Sequence, residues 1–200
     1  MSKKISFCTV VHNRLWQLEK TLVENVKLLS EEVELCVLAF NDDTVKPFLE
    51  TNYAKELEEG KIVLKVHDEA DKAFEFAYCK DLTHRMGSGT VLMNLDADNY
   101  IGAAIQQIQL ILDVPNIALQ LYNHPKQTVN NTGVQGRIAL RKEHYEAVGG
   151  YVTGDRDEDP IGGHHESMMF KALQKIGVKV WNLPCVKKPF PNTPPRSTKR

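Results

Sequence analysis

The first hundred residues alternate short apolar runs with amphipathic segments, and this alternation constrains the fold more than any other feature of the chain. A buried parallel strand reads as a short, almost continuous apolar run, and its return connection is usually a helix. Helices are predicted over 14–29 and 71–86, with a further helix between the second and third strands. The four predicted strands cover 4–11, 33–40, 61–67 and 90–95. The sequence therefore predicts an α/β fold in which a mostly parallel, Rossmann-like sheet carries helices on both faces.

The second half of the chain is less regular but still mixes helices with strands. The predicted helices cover 101–112, 142–148 and 165–177, and the predicted strands cover 116–123, 136–141 and 178–184. A chain of 200 residues suits one domain with a sizeable core. Residues 186–200 are rich in proline and basic side chains, which predicts an irregular basic tail.

Polar residues follow each of the four predicted strands of the first half. Because ligands of parallel sheets bind at the carboxyl ends of the strands, four such clusters in succession predict a binding site at one edge of the sheet. The clusters are His12-Asn13-Arg14, Asn41-Asp42-Asp43, His67-Asp68-Glu69 and Asp96-Ala97-Asp98.

Two aspartates, Asp96 and Asp98, end the fourth of these strands one residue apart. In an extended chain both side chains would face the same way, and two such charges repel unless a cation lies between them. Carboxylate oxygens suit Mg²⁺ or Mn²⁺, and these ions keep positions open for water and phosphate oxygens. The pair therefore indicates a metal that holds a diphosphate. The alternative is a polar turn, since Asp-x-Asp-Asn is also good turn chemistry.

Charge, hydropathy and motifs disfavour several other classes of protein. The formal net charge of −1 argues against a general nucleic-acid binder. No apolar run reaches the roughly 18 residues of a membrane helix, so a cytoplasmic location is the default expectation, with the basic tail able to touch an anionic membrane surface. The four cysteines are far apart, which disfavours a zinc site. No GxGxxG follows the first strand, which disfavours a classical dinucleotide site.

Five segments, taken in order, resemble the GT-A glycosyltransferases, especially the family-2 type. The resemblance spans roughly residues 4 to 182, and the last segment is also similar to the "GGxxE" acceptor segment of galactosyltransferases. Each fragment is weak alone, whereas their order and spacing together are specific. The segments are "FCTVVHNRLWQLEKTL", "LAFNDDT", "AYCKDLTHRMGSGTVLMNLDADN", "GRIALRKEHYEAVGGY" and "IGGHHESMMFKALQKIGVKVW".

The resemblance implies two halves of one domain and a set of site residues. Residues 1–115 would bind the nucleotide-sugar and residues 116–185 the acceptor. Asp98 and Asp96 would hold Mn²⁺ or Mg²⁺, with His164 or His165 as a further candidate ligand. The implied nucleotide-sugar contacts are Val11, Asn13, Arg14, Asp42, Lys80 and Asp96.

The implied activity is metal-dependent transfer of a sugar from a nucleotide-diphosphate donor to an acceptor hydroxyl, with inversion. UDP is the commonest nucleotide of the family, and the acceptor would be a glycan, a lipid or a protein. Glu166 would be the general base, although Ser167 departs from the acidic pair of the family pattern. An alternative base would come from the acidic loop Asp155, Asp157, Glu158 and Asp159. Segments 124–135 and 152–163 are predicted to close over the donor.

Two other functions stay open on the sequence alone. Ser167, in place of an acidic residue, is compatible with a nucleotide-sugar-binding module that has lost catalysis. A sugar-1-phosphate nucleotidyltransferase would also use a metal-bound carboxylate in an α/β domain. The absence of glycine from "VVHNRLWQ" counts against it, because such enzymes usually carry a glycine-rich basic loop after the first strand.

Overall fold

The computed structural model describes residues 5–69, 71–122, 137–151 and 164–184. Within these ranges seven strands form one sheet, in the order β3-β2-β1-β4-β6-β5-β7. The strands are β1 Ile5–Val11, β2 Val33–Phe40, β3 Ile62–His67, β4 Val91–Asn94, β5 Ile117–Tyr122, β6 Ile138–Arg141 and β7 Lys179–Pro184.

The sheet is parallel through its first four strands and mixed beyond them. Strands β3, β2, β1 and β4 all pair in parallel. Strand β6 runs antiparallel to both of its neighbours, β4 and β5, whereas β7 is again parallel to β5. The prediction of a mostly parallel α/β sheet is therefore confirmed, with one reversed strand near the middle.

Seven α-helices connect and cover the strands in the described ranges. They are α1 Leu15–Asn25, α2 Val45–Asn52, α3 Ala54–Glu58, α4 Phe76–Met86, α5 Ala104–Asp113, α6 Lys142–Ala147 and α7 His164–Lys175. The helix predicted over 14–29 is α1 continued by a 3-10 turn, Val26–Leu28. The helix predicted over 71–86 begins only at Phe76, and Phe74, which precedes it, stacks on the ring of His12. In the described ranges no helix is long and apolar enough to cross a membrane.

The central strands are buried on both faces, which explains their continuous apolar sequences. All eight residues of β2 and six of the seven residues of β1 are buried. The edge strand β7 has no fully buried residue. Because β1 and β4 lie side by side at the centre, the loops that follow them are held on a rigid base.

Helix α6 ends in two glycines that form a Schellman motif. The backbone N–H of Gly149 donates to the carbonyl of Glu146, and that of Gly150 donates to the carbonyl of Tyr145, both at 3.0 Å. The φ angles of +83° and +86° lie in the left-handed region that favours glycine. This turn delivers the next residue, Tyr151, into the buried interior.

Candidate active site

The carboxyl ends of β1 to β4 meet at one edge of the sheet, as their sequence predicts. The backbone N–H of Asn13, after β1, donates to Asp42 Oδ2, after β2, at 2.9 Å. The backbone N–H of Asn41 donates to the carbonyl of His67, at the end of β3, at 3.1 Å. The charge of Arg14, after β1, acts on Asp98, after β4. The four polar clusters therefore lie next to one another at the carboxyl ends of the strands.

Asp42 fixes the loops that follow β1 and β2. It is only 6% exposed, and its Oδ1 accepts hydrogen bonds from the backbone N–H and the hydroxyl of Thr44, at 3.2 and 2.5 Å. Its other oxygen holds Asn13, whose φ of +55° is left-handed. Val11, also predicted to contact a nucleotide, is fully buried.

An aromatic cluster lines the same edge next to these loops, and the sequence reasoning did not identify it. The ring of His12 stacks on Phe74, with centroids 4.8 Å apart and an interplanar angle of 6°. The ring of His67 stacks on Phe40 at 5.6 Å. Phe76, at the start of α4, packs edge-on against Phe74 at 4.6 Å and is 49% exposed. Aromatic residues at positions 74, 76 and 78 were the available signal.

The Asp96–Asp98 segment is a turn, and the strand before it ends at Asn94. The backbone N–H of Asn99 donates to the carbonyl of Asp96 at 2.8 Å, which closes the turn. The chain is therefore not extended at Asp96–Asp98, and the prediction that an extended chain aligns the two carboxylates is wrong. The two charges are nevertheless close, because burial and the negative charge of Asp96 together raise the pKa of Asp98 to about 6.

The residues around this turn fit a divalent cation. Asp98 is 9% exposed and is repelled by the charge of Asp96. A cation between the two carboxylates would offset both the free-energy cost of burying a charged Asp98 and the repulsion between the two charges. Arg14 and Arg137 act on Asp98 in the opposite sense and lower its pKa. Among the described residues no group of three or more histidine, cysteine, aspartate and glutamate side chains surrounds a common point. Two carboxylates leave coordination positions for diphosphate oxygens and water.

Two polar side chains of helix α1, Thr21 and Asn25, form hydrogen bonds with the backbone of the aspartate turn. The hydroxyl of Thr21 donates to the carbonyl of Ala97 at 2.8 Å. The side-chain amide of Asn25 donates to the carbonyl of Asn99 at 3.0 Å and accepts the backbone N–H of Ile101 at 2.8 Å. Both side chains are fully buried, at 0% and 2% exposure. They fix the backbone of the turn in the apolar interior, where every polar group needs a partner.

A buried cluster joins helix α4 to helix α7. The ammonium group of Lys80 donates to Glu166 Oε1, and His165 Nε2 lies 2.8 Å from the same oxygen and 3.2 Å from Lys80 Nζ. All three residues are at most 6% exposed. His165 therefore lies with the candidate base, and it does not form a ligand group with Asp96 and Asp98.

The charge state of Glu166 is set by this cluster. Burial alone would raise the pKa of Glu166, but the hydrogen bond from His165 and the positive charge of Lys80 outweigh it, so the pKa lies below its ordinary value. The carboxylate is therefore ionised at neutral pH. It is also a weak proton acceptor as long as Lys80 stays paired with it.

Helix α4 also holds the chain after α6 through Asp81. Asp81 Oδ1 accepts hydrogen bonds from the hydroxyl of Tyr145 at 2.5 Å and from the backbone N–H of Tyr151 at 3.2 Å. The ring of Tyr151 in turn lies 5.9 Å from the ring of His165. Asp81 thus connects the glycine turn of α6 with the Lys80–Glu166 cluster.

Several predicted features lie outside the described residues. They are the side chain of His164, the acidic loop from 155 to 159, the segments 124–135 and 152–163, and the basic tail.

No family model matches the sequence, and no curated protein matches it in sequence. Solved structures match the fold. The mannosyltransferase PcManGT from Pyrobaculum calidifontis, in complex with GDP-Man and Mn²⁺, has a TM-score of 0.70 and 16% identity over 97% of this chain. GalNAc-T7 with UDP, GalNAc and Mn²⁺ has a TM-score of 0.64 and 13% identity over 90% of this chain. Glucosyl-3-phosphoglycerate synthase from Mycobacterium tuberculosis, with Mn²⁺, UDP and phosphoglyceric acid, has a TM-score of 0.63 and 13% identity over 91% of this chain.

These likenesses define the class of fold. At 13–16% identity they establish the architecture alone, and the chain has the GT-A fold of these glycosyltransferases. The chain spans 58% of PcManGT, 42% of GalNAc-T7 and 68% of the synthase.

Proposed function

We propose that this protein is a metal-dependent glycosyltransferase that moves a sugar from a nucleotide-diphosphate donor to an acceptor hydroxyl. The observation that carries the proposal is the Asp96–Asp98 pair, whose charges lie close together at the carboxyl ends of the parallel strands of a GT-A sheet. A second buried carboxylate, Glu166, lies beside Lys80 and His165. The GT-A structures named above contain Mn²⁺ together with UDP or GDP-Man, which supports both the metal and the donor class.

The donor is proposed to lie across the ends of β1, β2 and β4. Asn13, Arg14 and Asp42 would contact the nucleoside, and the aromatic rings beside them suit a nucleobase. Asp98 and Asp96 would hold Mn²⁺ or Mg²⁺, which supplies positive charge to the leaving diphosphate. The guanidinium of Arg14, whose charge already reaches Asp98, would add a second positive group at the same place.

Glu166 is proposed to take the proton of the acceptor hydroxyl. Its lowered pKa makes it a poor base while Lys80 is bound to it. An anionic diphosphate is a stronger partner for the Lys80 ammonium than a single carboxylate, so donor binding would loosen the pair and restore the basicity of Glu166. One base on the acceptor side corresponds to direct displacement, and hence to inversion of the anomeric centre.

The structure also favours one alternative. A carboxylate held by both Lys80 and His165 is equally consistent with a structural ion pair, in which case the chain binds a nucleotide-sugar without transferring it. The Glu166→Gln variant separates the two functions. Glycosyltransferase activity that falls at least 100-fold in Glu166→Gln, with nucleotide affinity unchanged, supports catalysis. Donor binding without transfer to glycan, lipid or peptide acceptors, in the unsubstituted protein, supports the binding module.

A further inference from the structure

The side chain of Arg137 is buried at the aspartate turn, although the two lie far apart in the sequence. Strand β6 runs antiparallel to β4, with Ala139 paired to Met93. The start of β6 therefore lies beside the carboxyl end of β4, where the aspartate turn begins. Arg137 directly precedes β6 and is 4% exposed. Because a guanidinium stays charged at any ordinary pH, the fold places a permanent positive charge next to the two aspartates.

Arg137 reaches the carboxylate of Asp96 through the side chain of Asn99. Arg137 Nη2 donates a hydrogen bond to Asn99 Oδ1. Asn99 Nδ2 in turn donates to Asp96 Oδ2 at 3.4 Å. The other oxygen, Asp96 Oδ1, accepts a hydrogen bond from Asn94 Nδ2 at 3.1 Å. Each oxygen of the Asp96 carboxylate thus accepts a bond from a side-chain amide, and the two amides together set its orientation.

Arg137 also determines which way round the Asn99 amide lies. A guanidinium can only donate hydrogen bonds and a carboxylate can only accept them, so the amide between them must turn its oxygen to Arg137 and its nitrogen to Asp96. The backbone of Asn99 is held independently. Its N–H donates to the carbonyl of Asp96 at 2.8 Å, and its carbonyl accepts from Asn25 at 3.0 Å. Loss of Arg137 would therefore leave the turn closed but free the Asn99 side chain to rotate.

We propose that Arg137 is a positioning residue of the metal site, which acts through the side chain of Asn99 to orient the Asp96 carboxylate for a divalent cation. The inference rests on the proposed function, because it takes Asp96 as part of the site for Mn²⁺ or Mg²⁺. Removing a hydrogen-bond partner that orients a metal ligand typically lowers metal affinity by about 10- to 100-fold.

The positive charge of Arg137, taken alone, has the opposite effect on a cation. A guanidinium near the site repels Mn²⁺, so removal of that charge would tighten metal binding. This charge does reach the site, because it lowers the pKa of Asp98. The direction in which the metal affinity changes therefore separates positioning from a purely electrostatic effect.

Titration of the full chain with Mn²⁺, followed by electron paramagnetic resonance of the free ion, tests the inference. The titration is run with the metal alone and again with UDP or GDP. We expect Arg137→Met to weaken Mn²⁺ binding by about 10- to 100-fold, and Asn99→Ala to do the same. Because Arg137 acts through Asn99, adding Arg137→Met to Asn99→Ala should change the affinity by no more than about twofold. Arg137→Lys keeps a charged donor for Asn99 and should stay within about threefold of the unsubstituted protein.

Arg141→Met is the matched control. Arg141 lies at the opposite end of the same strand and donates to the carbonyl of Ile111 at 2.7 Å. Its replacement should lower the melting temperature and leave the Mn²⁺ affinity unchanged. A general loss of stability through an arginine of β6 would thus not account for weaker metal binding in Arg137→Met.

Unchanged or tighter Mn²⁺ binding in Arg137→Met would overturn the inference, as would a full additional loss in the double variant. If Arg137→Met does not fold, Arg137→Lys and Asn99→Ala still decide, because equal Mn²⁺ affinities in these two variants would also overturn it. Absence of Mn²⁺ binding to the unsubstituted protein, with or without UDP or GDP, would instead overturn the metal site of the proposed function itself.

Discussion

Replacing Gly150 with alanine should destabilise the protein far more than replacing Gly149. Both glycines have left-handed φ angles, +86° and +83°, and an L-residue there costs about 1–2 kcal/mol. A Cβ on Gly149 would meet nothing within 4 Å, whereas a Cβ on Gly150 would lie 2.2 Å from Asp81 Oδ1. That oxygen also accepts the Tyr145 hydroxyl and the Tyr151 backbone N–H, so it cannot move without losing both bonds.

The magnitude follows from these contacts. A hydrogen bond to a charged group contributes about 1.5–3 kcal/mol, so displacing the Asp81 carboxylate should bring the loss for Gly150→Ala to about 3–5 kcal/mol. At a urea m-value of about 2 kcal/mol/M, the unfolding midpoint should fall by about 0.5–1 M for Gly149→Ala and by about 1.5–2.5 M for Gly150→Ala. In an Asp81→Ala background the difference between the two alanines should shrink. Equal midpoints in the original background would refute the reasoning.

Three further substitutions test the interior of the site. Burial lowers the pKa of His84 to about 4 from its ordinary 6.5, so the unfolded chain takes up this proton at a higher pH than the folded protein does. The free energy of unfolding should therefore fall by about 3 kcal/mol as the pH falls from 6.5 to 4. Urea titrations of His84→Gln should not show this loss. Asn25→Ala removes two hydrogen bonds to the aspartate turn, so it should lower the free energy of unfolding by about 2–4 kcal/mol and weaken Mn²⁺ binding. An unchanged affinity for Mn²⁺ would contradict this. Lys80→Met should cost about 3–5 kcal/mol by removing the ammonium partner of the buried Glu166 carboxylate. Glu166→Gln in the same chain should recover much of that loss in a double-mutant cycle.

The parallel part of the sheet was predictable because its buried strands are short, continuous apolar runs in the sequence. A central strand buried on both faces must be apolar throughout, as β2 is, and polar residues at its carboxyl end then stand out. The grouping of Asn13 with Asp42 followed from this topology alone. The helix expected between β2 and β3 is instead two short helices that meet at Tyr53. The sequence around Tyr53 has no proline or glycine that would have predicted this break.

The contacts within the site depend on long-range packing and were not predictable. Lys80 and Glu166 are 86 positions apart, and neither residue's neighbours in sequence indicate that they pair. Thr21 and Asn25 carry polar side chains, a type that usually faces water, yet both are buried against the aspartate turn. The turn itself was ambiguous, because the same four residues suit a metal site and a tight turn. Here they form a turn that keeps the charges of Asp96 and Asp98 close together.

Titration of the protein with UDP, GDP, TDP and CDP, with and without Mn²⁺ and alongside Asp98→Asn, tests the proposed function most directly. The proposed function predicts that one nucleotide binds, that its binding needs Mn²⁺, and that Asp98→Asn abolishes the metal-dependent part. Asn25→Ala, which loosens the turn without removing a carboxylate, should give an intermediate affinity. Failure to bind any of the four nucleotides would contradict the proposal and leave Asp96 and Asp98 as a polar turn at the end of a buried strand.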